Sequence, residues 1–159
     1  MNPLSKTLVG TWQLLSRVDR NAAGERRSEP HLGDNPIALL YYDQSGHFAA
    51  QFMKRDRTDA AAAGPALAAS AHAAPNNSRA QGGYDAYFGT YTVDDQQGSV
   101  TQRLIGALSA ENVGLVLTRA MVVDGDTLTI ALETAAADGE PVTRTLVWRR
   151  AQRSPVPGA

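Results

Sequence analysis

Cysteine is absent from the 159 residues of this chain. Its absence excludes disulfide bridges, thiolate nucleophiles and thiolate metal ligands, and nothing in the composition indicates an oxidising compartment. An excess of charge of one sign is also missing, since 15 Lys and Arg oppose 16 Asp and Glu for a net charge of −1. Without a basic field, binding to nucleic acid or to an anionic membrane is disfavoured.

Long apolar runs are lacking as well. No stretch approaches the roughly 18 apolar residues of a membrane-spanning helix, and residues 1–10 lack the apolar segment of a secretory signal peptide. We therefore expect a cytoplasmic protein with no membrane partner. The 43% hydrophobic content must then be buried by folding. The length fits one domain over residues 1–151, followed by a disordered tail at 152–159.

The sequence also lacks the motifs of metal, nucleotide and nucleophilic chemistry. The three histidines, His31, His47 and His72, lie far apart and show no metal-ligand spacing. There is no glycine-rich phosphate loop and no serine nucleophile elbow. The sequence therefore predicts no metal, no cofactor and no nucleotide, and it identifies no catalytic residue.

What is present is a series of short segments rich in β-branched and aromatic residues, separated by turn sequences at residues 43–46, 94–98, 124–125 and 138–139. No helical crossover separates these segments, so the sheet should be antiparallel and up-and-down. An all-β barrel of about eight strands can enclose one small ligand. The predicted strands are residues 7–18, 37–42, 47–54, 85–93, 99–107, 115–123, 127–133 and 142–150.

The connections between these strands alternate between long and short. The longer ones are residues 19–36, 55–84, 108–114 and 134–141, and by parity they lie at one rim, which is the predicted mouth. The longest is alanine-rich and is interrupted by Gly64-Pro65, a composition that favours short helical turns. Residues 55–83 are therefore either a partly helical lid over the mouth or an insertion without a role.

Both ends of the chain carry recognisable residues. Gly10-Thr11-Trp12 is similar to the Gly-x-Trp signature that opens the first strand of lipocalins, and the last strand ends in Arg149-Arg150. The resemblance implies that a basic residue stacks over the tryptophan at the closed end of the barrel. Strand alternation favours Arg150 for this role, because Leu146, Trp148 and Arg150 share the inward face.

Other segments extend this resemblance, namely residues 34–36, 39–42, 46–47, 84–93 and 124–128. As a set they resemble the bacterial lipocalin-like domain family over residues 8–150, with departures at the alanine-rich insertion and at Gln102-Arg103, where histidine is the more usual residue. The resemblance implies a small-molecule binder of unassigned ligand, although some related barrels act as cyclases. The structural signature that it transfers to this chain is Gly10, Trp12 and Arg150.

Period-two alternation selects the side chains that should face the barrel interior. Gly10, Trp12, Leu14, Ser16 and Val18 share one face of the first strand. Similar patterns place Leu128, Ile130 and Leu132, and also Phe48, Ala50 and Phe52, on inward faces, with Gln51 and Arg103 on the surface. The candidate ligand contacts are Ser16, Phe52, Tyr87, Tyr91, Arg119 and Met121.

Two of these placements have alternatives. Arg119 shares a face with Leu117, Met121 and Val123, but a buried arginine needs a carboxylate, a carbonyl or an anionic ligand group; otherwise that strand is flipped and Arg119 is solvated. Tyr87 and Tyr91 either line a cavity, each with a hydroxyl to orient a ligand, or pack in the core with bonded hydroxyls.

Three functions are compatible with this pattern. The first is binding of a small hydrophobic or aromatic molecule in a cavity of about 300–1,000 Å³. The second is a cofactor-free isomerase or cyclase that folds a natural-product-like substrate in the same cavity, with Tyr87, Tyr91 or Arg119 polarising a carbonyl. The third is an interaction scaffold with a filled barrel. The sequence leaves a homodimer open.

Overall fold

The computed structural model describes residues 2–57 and 80–152. Most of the expected lid, residues 58–79, and nearly all of the expected tail, residues 153–159, lie outside the described residues. In the described part, nine antiparallel strands form one sheet. They are β1 (Gly10–Arg20), β2 (Arg26–Arg27), β3 (Ile37–Tyr42), β4 (His47–Met53), β5 (Tyr84–Asp94), β6 (Ser99–Ala107), β7 (Val116–Asp124), β8 (Thr127–Ala135) and β9 (Pro141–Arg150).

The sheet closes into a barrel because β1 pairs with β3 on one side and with β9 on the other. All consecutive strands from β3 to β9 are neighbours, which confirms the predicted eight-stranded up-and-down barrel. β2 adds only a short ribbon to the far end of β1 and was not predicted. None of the helices in residues 2–57 and 80–152 has the length and apolarity needed to cross a membrane.

The first strand starts at Gly10 instead of residue 7, because residues Leu4–Thr7 form a short helix, α1. The chain then passes beneath the barrel, where the backbone carbonyl of the fully buried Leu8 accepts the indole N–H of Trp12 at 2.9 Å. Trp12 has no exposed surface and closes this end of the barrel from inside.

Arg150, at the end of β9, lies over Trp12. Its guanidinium carbon is 4.2 Å from the ring centroid, and its two terminal nitrogens donate to the carbonyls of Val9 at 2.9 Å and Thr7 at 2.6 Å. The stacking residue is thus Arg150 and not its neighbour Arg149, as strand alternation indicated. One side chain ties the end of β9 to the start of β1 and to the segment before it.

Gly10 makes room for this arginine. A Cβ atom at this position would lie 2.6 Å from the Arg150 Nη1 atom, and its φ of +141° is a backbone conformation that other residues rarely adopt. The glycine and the tryptophan two residues later therefore serve one purpose: the first leaves space for the guanidinium, and the second supplies the aromatic face beneath it.

The alternation of inward and outward side chains on β1 reverses partway along the strand. The register with β9 shifts between Leu14 and Ser16, so that Leu15 is an extra, half-exposed residue. Beyond this bulge the buried side chains are Arg17 and Asp19. The prediction that Ser16 and Val18 continue the inward face of Trp12 is therefore wrong, since a bulge reverses the alternation.

The other inward faces follow the predicted alternation. Phe48, Ala50 and Phe52 are buried on β4, and Gln51 between them is exposed. On β5, Phe88 faces outward and is exposed, while Tyr87, Tyr91 and Val93 pack against the core cluster. On β7, Met121 is buried and Leu117 and Val123 contact the same cluster. Arg103 on β6 is exposed, as expected.

We expect Arg150→Met to lower the free energy of unfolding by about 1–3 kcal/mol, because the cation–π contact and two hydrogen bonds are lost while the apolar stem is kept. Urea denaturation measures this loss. Arg149→Met is the matched control, since Arg149 is exposed on the same strand, and its effect should stay within about 0.5 kcal/mol. Equal losses for the two variants would contradict a specific role for Arg150.

Candidate functional site in the barrel interior

A cavity lies at the centre of the barrel. Its volume is about 30 Å³, which is room for roughly two water molecules. The expectation of about 300–1,000 Å³ for a preformed ligand cavity is therefore wrong for this conformation. Every barrel strand except β1 contributes to the lining, which consists of Leu40, Tyr42, Phe52, Tyr87, Gln102, Arg119, Met121, Ile130, Leu132, Leu146 and Trp148.

Aromatic rings account for the small volume. Phe52 stacks on Tyr87 with 6.3 Å between ring centroids and meets Trp148 edge-on at 5.8 Å. Phe48 links this group to Tyr42, because it lies 6.1 Å from both Tyr87 and Tyr42. Rings from four neighbouring or facing strands thus fill space that shorter side chains would leave open.

One side of the cavity wall is polar. The amide nitrogen of Gln102 donates to the hydroxyl of Tyr42, and that hydroxyl lies 3.8 Å from the sulfur of Met121. Burial raises the pKa of Tyr42 far above its usual range, so the phenol stays protonated. Gln102 belongs to the Gln102-Arg103 pair, where the resemblance makes histidine the more usual residue, and here it supplies a neutral donor to the wall.

Tyr87 and Arg119 complete this polar side. Burial is the main cause that raises the pKa of Tyr87, with the charge of Asp85 adding to it. Burial likewise lowers the pKa of Arg119, which is half-buried in the cavity wall. Its guanidinium donates a hydrogen bond to the backbone carbonyl of the adjacent Thr118 at 3.3 Å. Because Arg119 lines the cavity, the inward alternative describes it better than the solvated one, although the residue stays partly exposed.

A cluster of buried charges lies next to these residues. The Arg144 guanidinium binds both carboxylate oxygens of Asp19, at 2.7 and 2.8 Å. Arg17 donates to Glu29 at 3.0 Å, and the other oxygen of Glu29 is 2.6 Å from the ring nitrogen Nδ1 of His31. All five residues are buried. Glu29 and His31 come from the connection after β2, so this cluster fixes that connection against the barrel.

Sequence reasoning missed this cluster, although part of it was visible. Arg144 lies two residues before Leu146, so the alternation that placed Leu146 and Trp148 inward extends to it. Arg17 and Asp19 carried no such signal, because the bulge at Leu15 reverses their faces. Glu29 belongs to an irregular connection whose path no periodicity predicts.

The six candidate ligand contacts divide into two groups. Phe52, Tyr87, Arg119 and Met121 line the cavity together. Tyr91 packs its ring edge-on against Tyr42 at 4.8 Å, but its hydroxyl donates to the backbone carbonyl of Asp43 at 2.6 Å in the turn between β3 and β4. Neither Tyr91 nor Ser16 is part of the lining, the latter because of the bulge in β1.

A comparison with protein families gives a match to a family described as the lipocalin-like domain, over residues 9–151 of this chain. The matched region runs from the residue before Gly10 to the residue after Arg150, and so it spans the whole closed barrel. No curated protein matches the sequence significantly. The family match agrees with the resemblance found in the sequence.

Glu29 should make stability depend on pH. Burial alone would raise the pKa of this carboxyl, but the hydrogen bond with His31, the charge of Arg17 and backbone N–H groups of Leu32 and His31 lower it to about 2. Because the folded-state pKa lies below the ordinary value, the ionised carboxylate stabilises the fold above about pH 4.5. This contribution is lost as the pH falls toward 2.

We therefore expect Glu29→Gln to lower the free energy of unfolding by about 3 kcal/mol at pH 7, narrowing to about 1 kcal/mol at pH 3. Urea denaturation at several pH values measures both differences. Glu133→Gln is the control, because Glu133 is exposed on β8. A loss for Glu29→Gln that does not change with pH would contradict the assignment of the low pKa to this residue.

Proposed function

Since this chain belongs to the lipocalin-like domain family, we propose that it binds a small hydrophobic molecule inside the barrel, in contact with Phe52, Tyr87 and Met121. Barrels of this size enclose small ligands in their interior. The observation that carries the proposal is the composition of the central cavity, whose wall is mainly apolar and interrupted by a few polar groups on one side. Such a wall suits a ligand that is mostly apolar.

The ligand must enlarge the cavity as it binds. At about 30 Å³ the space admits only a small group, so the lining side chains have to move. Met121 is suited to such movement, because a thioether chain is unbranched and adapts to irregular space. Each methylene that is buried contributes roughly 0.8 kcal/mol, which offsets the cost of repacking once the ligand has several carbons.

The filled-barrel scaffold is the second candidate, and the small cavity volume favours it. It would act through its outer surface, where Phe88, Ile105 and Val116 are each more than half exposed on the adjacent strands β5, β6 and β7. A scaffold of this kind would bind no small molecule in its interior. The isomerase or cyclase alternative stays a prediction from the sequence.

A series of unbranched alcohols from hexanol to decanol separates the two candidates. We expect binding, measured by isothermal titration calorimetry, to tighten roughly fourfold for each added methylene. Leu132→Phe, which adds volume to the cavity wall, should weaken decanol binding at least tenfold. Val122→Phe is the control, because Val122 is 64% exposed on the outside of β7.

Wild-type protein that binds neither these alcohols nor the carboxylate of the same chain length, decanoate, would contradict the proposal and favour the scaffold. Equal weakening by Leu132→Phe and Val122→Phe would place the binding site outside the barrel. Native mass spectrometry of the purified protein, with its co-purifying small molecules, is the complementary measurement, since it requires no choice of probe.

A further inference from the structure

The barrel interior holds N–H donors that find no acceptor among the described residues. In the described residues, three buried side-chain polar atoms have no hydrogen-bond partner, and all three are N–H donors: Nε and Nη2 of Arg17 and Nε1 of Trp148. Trp148 is itself part of the cavity wall. Because buried donors without acceptors are costly, this part of the barrel favours a guest that brings acceptor atoms with it.

Arg119 adds a positive charge to this surplus. No salt bridge connects it to a carboxylate in residues 2–57 and 80–152, and the groups whose charges act on its pKa are Tyr87, Arg144 and Tyr42. Arg17 and Arg144 differ from it, because each already binds a carboxylate, Glu29 and Asp19 respectively. Among the described residues that line the cavity, Arg119 is thus the guanidinium available to an anion.

Tyr87 lines the same cavity. Its hydroxyl has no hydrogen-bond partner in the described part of the chain, whereas the hydroxyl of Tyr42 accepts a hydrogen bond from Gln102. The charges of Arg119, Arg17 and Arg144 all act on Tyr87, opposed by that of Asp85. Asp85 is fully buried and accepts the backbone N–H of Ala86 at 2.9 Å.

The volume of the cavity and the donors in its wall together match one chemical group. About 30 Å³ holds roughly two water-sized atoms, and a carboxylate presents two oxygen atoms that act only as acceptors. An amine would add a cation beside Arg119, and an alcohol would bring one acceptor and another donor. A carboxylate is thus the common organic head group that matches the space, the charge and the hydrogen-bonding surplus together.

We infer that the ligand is an apolar molecule with a carboxylate head, held by the guanidinium of Arg119 and the hydroxyl of Tyr87. This inference rests on the proposed function, because it assigns a chemical class to the molecule bound in the same cavity. The apolar body then lies against the aliphatic and aromatic part of the wall, in the space that opens as Met121 and its neighbours move.

Decanoate and 1-decanol form a matched pair of probes for this inference, since they share a chain length and differ in the head group. We expect decanoate to bind at least tenfold more tightly than decanol at pH 7, measured by isothermal titration calorimetry. Arg119→Gln should weaken decanoate binding roughly tenfold to a hundredfold, because a charge-assisted hydrogen bond is lost. Its affinity for decanol should change less than threefold.

Two further variants make the assignment specific. Tyr87→Phe removes only the hydroxyl and should weaken decanoate binding about threefold to tenfold, again with little effect on decanol. Arg103→Gln is the control for charge, because Arg103 is exposed on the neighbouring strand β6, and it should bind both probes as the wild type does. The comparison of decanoate with 1-decanol uses the wild-type protein alone, so it does not depend on whether a variant folds.

The outcomes separate the inference from the function on which it rests. Equal binding of decanoate and decanol would overturn the carboxylate head and leave the hydrophobic site standing. A preference for decanoate that persists in Arg119→Gln would overturn the assignment to Arg119. Failure of both probes to bind would count against the proposed function itself. A preference that disappears in Arg119→Gln and persists in Arg103→Gln supports the inference.

Discussion

The stacking of Arg150 on Trp12 joins the last strand of the barrel to the first. The rest of the structure depends on this closure of the sheet. β1 and β9 are far apart in the chain, yet they form the seam that turns an open sheet into a closed one. Closure leaves no edge strand of the barrel unpaired. It also defines an inside, and the alternating side chains of every strand are then sorted into a core and a surface.

The bulge in β1 gives this interior its electrostatic character. If β1 had kept a strict alternation, Ser16 and Val18 would face inward, and the interior would lack the charges of Arg17 and Asp19. The extra residue, Leu15, turns Arg17 and Asp19 inward instead, where they meet Glu29 and Arg144. Buried ion pairs are stable only when well bonded, and these pairs fix the connection after β2 against the barrel.

The interior therefore combines dense aromatic packing with polar groups that lack partners in the described part of the chain. Aromatic packing around Phe52 and Tyr87 leaves little empty volume, while Trp148 in the wall and the buried Arg17 have N–H donors that find no acceptor in the described residues. A purely structural core would satisfy its polar groups, because unsatisfied donors lower stability. The combination is understandable if the barrel repacks around a guest that supplies acceptors, which is the basis of the functional proposals made above.

The sequence by itself determined the fold and the two residues that close it. Turn residues separate strands of regular alternation, the resemblance to lipocalins paired Trp12 with a basic residue of the last strand, and alternation then selected Arg150. The sequence also predicted inward faces for Phe52, Tyr87, Arg119 and Met121, and these four residues line one cavity. Only the tertiary structure decided the face of Ser16, the bond of the Tyr91 hydroxyl and the cavity volume. A bulge shifts alternation by one residue, and ring packing depends on contacts between strands, and neither leaves a periodic trace in the chain.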